Sequence, residues 1–287
     1  MPAPPAKTEI SDTYPNPSNA VARTGFGKLW EALFGTTGLL GSSGNAVDAR
    51  NSLGIGSVFS FRNLVINGNF AFNQRAYASG VATTVANQYT LDRWRVVTSG
   101  QNVSFGAGTP DVTVTAPAGG IEQVIEGANI AGGVYTLSWT GTATATVNGA
   151  AVTNGGNTAS LPANTNVTLR FSGGTVTRVQ LELGTVATPF ERRHQGIELT
   201  LCQRYYEAGT GELAGYNLAS NLSQVSIPFK VTKRVAPTIT TAVTVATGIS
   251  TSDFRNPKVD SLVQWSTKDG ATGSYIFVGN WTASAEI

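Results

Sequence analysis

Paired glycines set the rhythm of this chain. Gly-Gly or Asn-Gly falls at 119–120, 132–133, 148–149, 155–156 and 173–174, with short β-prone segments between. A backbone that turns this often makes short strands rather than long helices. Candidate strands are 81–85, 93–98, 102–105, 111–115, 121–126, 134–140, 142–147, 167–171 and 175–183, and Asn63 to Phe70 reads as a strand running into an Asn-Gly turn. Thr140 to Asn148 alternates Thr with small apolar residues, as a half-buried strand should. Val225 to Val231, Thr238 to Val245, Ser261 to Trp265 and Tyr275 to Trp281 are further strands, with Pro237 at a tolerated strand start. Gly196 to Glu207 admits helix or strand, and strand is preferred for its second half. Nothing alternates strands with long helices, which excludes α/β folds. The expected fold is mainly β: a short N-terminal helical trimerisation segment, then jelly-roll or β-sandwich domains, in a homotrimer.

Charge narrows the function. Charged residues are only 13% of the 287, the formal net charge is +2, and no basic run or stripe occurs. Nucleic-acid binding needs clustered Lys and Arg against phosphate, so it is disfavoured. The single cysteine, Cys202, excludes an intrachain disulfide framework and leaves oligomerisation as the route to added stability. Met1 to Lys7 has no apolar signal-peptide core, and no stretch approaches the roughly 18 apolar residues of a membrane span. The expectation is synthesis in a cytoplasm without a secretion signal, and no membrane insertion.

The N-terminal part divides in two. Residues 1–22 are polar and Pro-rich and read as an extended attachment arm, with Pro4, Pro5, Ile10 and Tyr14 as its contacts. Residues 23–58 read as a helical neck. Phe26, Leu29, Trp30, Leu33 and Phe34 recur at helical spacing, and a second short helix at 45–53 carries Val47 and Leu53. So large an apolar stripe needs a partner surface, which three copies around an axis supply. Beyond the neck, 59–203 is the expected jelly-roll domain and 204–287 a distal β region.

Three ordered stretches then carry a resemblance. The first runs from Asn63 to Phe70, with Gln74-Arg75 and Tyr89 to Trp94 after it. The second is Val179 to Glu191, followed by Arg192-Arg193-His194 and Glu198-Leu199-x-Leu201-Cys202-Gln203-Arg204-Tyr205-Tyr206. The third is the ending, Trp281 to Ile287. Together, along 61–287, they resemble the C-terminal part of a bacteriophage and prophage tail-fibre family, and Ala46 to Gly56 is similar to its junction element. The resemblance implies a trimeric, β-rich distal fibre domain similar to carbohydrate-binding jelly rolls, with no known catalytic residues. It places the chain in the virion, held to tail or baseplate proteins through its N-terminus and adsorbing to a bacterial surface glycan or lipopolysaccharide. A connector or baseplate decoration without host contact is the rival reading, with a tail-associated glycan hydrolase or a glycan-binding module of a bacterial enzyme behind it.

The glycan contacts expected are Tyr216, Asn217, Trp265, Asp269 and Tyr275 in distal loops, because amide, hydroxyl and aromatic groups suit sugar hydroxyls and faces. Trp94 reads first as packing and second as a sugar platform. Leu181 and Leu183 should share one face and Gln180 and Glu182 the other, with Phe190 plugging the sandwich. Of the adjoining Tyr205 and Tyr206, one should be core and the other open to solvent. A structural calcium near Asn67-Gly68-Asn69 and Glu182 is the weaker alternative to a plain Asn-Gly turn, so no cofactor is expected.

Catalysis finds little footing. His194 is the only histidine and lies in a charged turn, no Gly-x-Ser-x-Gly elbow occurs, and a zinc site with two histidines is impossible. Glu122 with Glu126, or Asp253 with Asp260, could form a glycosidase pair, but their spacing equally fits surface carboxylates. Cys202 sits in an apolar run and reads as a buried small residue. No enzyme is expected.

Overall fold

A computed structural model describes residues 28–33 and 61–287. Asn63–Gly184 and Phe190–Ile287 form one compact unit, and the other described residues belong to a second. In the latter, 28–33 is a helical turn, α1, with Leu29 exposed and Trp30 and Leu33 half-buried. The rest of the expected trimer stripe (Phe26, Phe34, Val47, Leu53) and the arm contacts Pro4, Pro5, Ile10 and Tyr14 lie outside the described residues.

The compact unit is mainly β, as the turn rhythm predicts. One sheet carries β1 (Gln88–Tyr89), β2 (Arg95–Val96), β5 (Ile121–Ile125), β10 (Val167–Ser172), β7 (Thr144–Val147) and β8 (Ala150–Val152), in that spatial order. The other carries β3 (Ser104–Phe105), β4 (Val114–Thr115), β11 (Thr175–Leu183), β6 (Tyr135–Thr140) and β9 (Gly156–Asn157). The paired glycines take the positive φ that tight turns between such strands need, for example 91° at Gly120 and 77° at Gly174. Between the sheets lies an aromatic stack. Trp94 packs 4.8 Å from Phe70 and 6.0 Å from Phe171, which meets Trp139 edge-on at 5.3 Å. Trp94 is 1% exposed and its indole donates to the Asn67 carbonyl at 3.0 Å. It is packing, and its place in the core removes it from the glycan contacts.

Several expectations need correction. Residues 81–85 form no strand. Asn63 to Phe70 lies beside β11 through isolated bonds, Leu64 N to Leu181 O and Val179 N to Gly68 O, without entering the ladder. Positive φ at Asn67 and Phe70 breaks its extension, and a side chain on Gly68 would strike the Val179 carbonyl. On β11 the polar Gln180 and Glu182 are buried along with Leu181. Gln180 donates to Glu182 at 2.8 Å and accepts from the Glu191 amide at 2.7 Å, whereas Leu183, at the strand end, is exposed. Phe190 is half-buried beneath the Arg192 guanidinium and is no plug.

The segment after β11 folds as helix α2 (Gln195–Gln203), not strand, until Tyr206. His194 caps it by accepting from the Gly196 amide at 3.2 Å, and Glu198 in the first turn favours the free amides. Cys202 is buried on its inner side, and that burial raises the thiol well above its ordinary range.

Four long strands and two shorter ones then build two three-stranded sheets. One has the order β12 (Tyr206–Asn217), β17 (Gly273–Ser284), β14 (Thr238–Thr247); the other has β13 (Leu222–Pro228), β16 (Ser261–Lys268), β15 (Ile249–Arg255). Neither β12 at its full length nor β15 is among the expected strands. The glycines that hide β12 from a propensity reading are required by packing: a side chain at Gly209 would enter the Trp281 ring directly across, and one at Gly211 would strike Phe254 and Gln264. Phe254, Leu262, Phe277, Trp281, Ala283 and Phe229 fill the space between the sheets.

The C-terminal tail ties these strands to the first sandwich. Glu286 pairs with Arg93 and, at 3.0 Å, with Arg75. Tyr89 and Arg95 each donate to the Ile287 carbonyl at 2.8 Å. Arg93 lies 3.5 Å over the Tyr205 ring and Arg75 lies 3.7 Å over that of Tyr206. Both tyrosines are therefore buried, one under each arginine, where sequence left one of them to solvent.

Candidate functional site

Register places the strand ends unambiguously. Tyr206, Ser284 and Thr238 lie abreast at the end that meets the first sandwich. At the other end, Asn217 faces Gly273 and Thr247 faces Ile276. Three loops meet there: 218–221, the turn at Gly248, and 269–272. Backbone bonds knit them, from Ser220 N to Asp269 O, Lys268 N to Asn221 O and Asp269 N to Gly248 O. This knot is the tip of the distal sheets.

Four of the residues expected to touch glycan converge on it. Tyr216 projects at 72% exposure from the last turn of β12. Asn217 next to it holds the loop, its side chain accepting from the Leu218 amide at 2.9 Å and donating to Ser223 at 3.1 Å. Asp269 accepts from the Lys268 ammonium and from the Ala271 amide at 3.1 Å. The Lys268 bond, and then the amide, hold its carboxyl below the ordinary aspartate range. Tyr275 is half-buried and closes over Gly215, its partner across the strands. With Lys268 and Asp269 paired to each other, the tip presents aromatic, amide and hydroxyl groups and no net charge.

Trp265 is not at the tip. Along β16, Leu262, Gln264, Ser266 and Lys268 point inward and are buried, so Val263, Trp265 and Thr267 lie on the solvent side of the sheet. Gln224 and Asp253 face Trp265 from the neighbouring strands. Arg255, which sequence reasoning missed with the rest of β15, stacks 3.4 Å above the Trp265 ring.

Other concave regions are poorer candidates. A recess between Asn69, Phe190, Arg192 and Glu198 has a volume of only about 20 Å³, room for a single water. An open depression of about 370 Å³ beside Gln101, Asn102, Ser104 and Thr115 offers no aromatic face and no charge. Of the two carboxylate pairs, Glu122 lies between Arg95 and Arg170, and Glu126 between Arg204 and Arg234. Both carboxylates are thus taken up in ion pairs with two guanidinium groups each. Asp253 and Asp260 accept from Phe254 N and Ser261 Oγ next to them. The Asn67 side chain is spent on Phe72 and Asp92 backbone, and among the described residues no three His, Cys, Asp or Glu gather as a metal site.

No protein-family model matches the chain, and no curated protein matches it. Among solved structures, wild-type discoidin II from Dictyostelium discoideum aligns over 76% of this chain and 92% of its own, at 8% identity and a TM-score of 0.26. A likeness of that size carries no weight for fold or function.

Proposed function

We propose that this chain is a phage tail-fibre subunit that binds a bacterial surface glycan or lipopolysaccharide without cleaving it, and that the tip of the distal sheets makes the contact. The observation that carries this reading is the convergence of Tyr216, Asn217, Asp269 and Tyr275 on one neutral knot of loops, at the end remote from the first sandwich. An exposed phenol ring offers a face to the apolar side of a sugar, and amides and hydroxyls match its hydroxyl groups. A homotrimer supports such a role, since three weak sites acting together bind far more tightly than one. Strand β14 fits association of copies: it is a sheet edge ten residues long, has no charged side chain and is exposed on both faces. In this reading the N-terminal residues 1–22 hold the subunit to the tail, and the protein works in the virion.

Adsorption decides between this and a connector role. Purified full-length protein should bind host cells and extracted envelope polysaccharide and should block infection in competition, and Tyr216→Ala should weaken that binding while still folding. Protein that is trimeric by light scattering yet binds neither cells nor polysaccharide is a connector.

A further inference from the structure

Arginines in the compact unit follow a rule with one exception. Arg75, Arg93, Arg95, Arg170, Arg178, Arg192, Arg193, Arg204 and Arg234 each pair with a carboxylate. Arg255 pairs with none among the described residues. Its guanidinium lies on Trp265 alone, 3.4 Å from the ring centroid. The nearest candidate on its own strand, Asp253, turns back to accept from the Phe254 amide at 2.7 Å. Beneath the stack, the Trp265 indole N–H is buried with no acceptor. A half-buried arginine without a counter-anion and an indole donor without an acceptor on one sheet face are two polar deficits.

We infer that the solvent face of β13–β16–β15 is a second ligand site, for an acidic saccharide whose carboxylate or phosphate oxygens pair with Arg255. A guanidinium stacked flat on a ring is held in place at little entropic cost, and its N–H edge stays available for two parallel bonds to an anionic group. The sugar ring then lies along the sheet between Gln224 and Thr267, whose amide and hydroxyl take its hydroxyl groups, while Leu222 offers it an apolar contact. This site differs in chemistry from the neutral tip, and it does not depend on the tip reading: the sheet face selects for charge, the tip does not.

The test is titration calorimetry on the full chain with three oligosaccharides of equal length: neutral, glucuronate-bearing and phosphorylated. At least one charged sugar should bind ten-fold or more tighter than the neutral one, more weakly as salt rises. Arg255→Gln should abolish that preference, and Tyr216→Ala should leave it intact. Which charged sugar wins identifies the anionic group. Equal binding of all three sugars, or an Arg255→Gln protein that keeps the preference, overturns the inference. If Arg255→Gln does not fold, Arg255→Lys replaces it. That variant keeps the charge but loses the planar fork, so the preference should fall several-fold, and an unchanged preference is again the contrary result. Failure of cell adsorption with the charge preference intact would sink the tip proposal alone.

Discussion

The first sandwich and the distal sheets are built from similar residues but hold together differently. In the sandwich, two broad sheets close over Trp94, Phe70, Phe171 and Trp139, with β7 and β10 alternating buried and more exposed residues and β5 buried along its whole length. The distal sheets have three strands each and a small core around Phe254, Phe277 and Trp281. There β14 buries nothing fully, and its apolar Val243 and Val245 face solvent. What the distal part lacks in core it recovers in charge: Lys233 is buried against Glu207 at 2.5 Å, and the tail is pinned by Arg75, Arg93, Arg95 and Arg234. Burial lowers the Lys233 ammonium from its ordinary value, and Glu207 opposes the shift. Three-stranded sheets without a broad apolar face are marginal alone. The sandwich thus carries more of its own stability, while the distal part leans on its attachment to it.

Four experiments test that contrast. Trp94→Ala should have the largest effect, a loss of about 3–5 kcal/mol in denaturant unfolding; a loss no greater than that of Phe277→Ala would show that the two cores count equally. Glu286→Ala strands the 1%-exposed Arg93 and should cost about 2–3 kcal/mol. Amide exchange should then quicken along β12 and β17 before β5 and β10, and uniform loss of protection would contradict a tail that pins only the distal part.

The third is confined to acid. Hydrogen bonds from Arg192 and then Arg178 lower the Asp111 carboxyl from its ordinary value to about 2. Because its folded pKa lies below the unfolded one, its contribution is complete above about pH 4 and is lost as pH falls toward 2. Both arginines are partly exposed, so Asp111→Asn should cost less than about 1 kcal/mol at neutral pH. The variant should unfold with a shallower pH slope between 4 and 2, and an unchanged slope would remove Asp111 from acid sensitivity. The smallest change in protomer stability belongs to Val245→Lys, within about 0.5 kcal/mol by thermal melt for an exposed position. If β14 joins copies, light scattering should nonetheless show dissociation, and an undisturbed trimer would place the contact elsewhere.

Legibility follows the same division. From Ile121 onward β5, β6, β7, β10 and β11 lie within a residue or two of their expected bounds, because each ends at a glycine turn, whereas the short β8 and β9 are not among the expected strands. Before that, 81–85 reads as a strand and is none, since neighbouring strands never take up its backbone. In the distal part the glycines of β12 look like breakers, yet they are there to admit the rings of β17. Tyr216, Asn217, Asp269 and Tyr275 were legible as a chemical type, and their meeting at one tip was not, because it depends on the register of strands more than fifty residues apart.

A mainly β chain with frequent turns, few charges, a buried Cys202 and a Trp94 suited to packing follows from local periodicity and residue chemistry alone. Which polar groups find partners depends instead on how distant segments pack. Gln180 and Glu182 vanish inward, Tyr205 and Tyr206 both lie under arginines, and Arg255 alone among its kind in the compact unit is left on a tryptophan without a carboxylate. Partnership across such sequence distances is set by how strands register and sheets stack, and no local pattern encodes it.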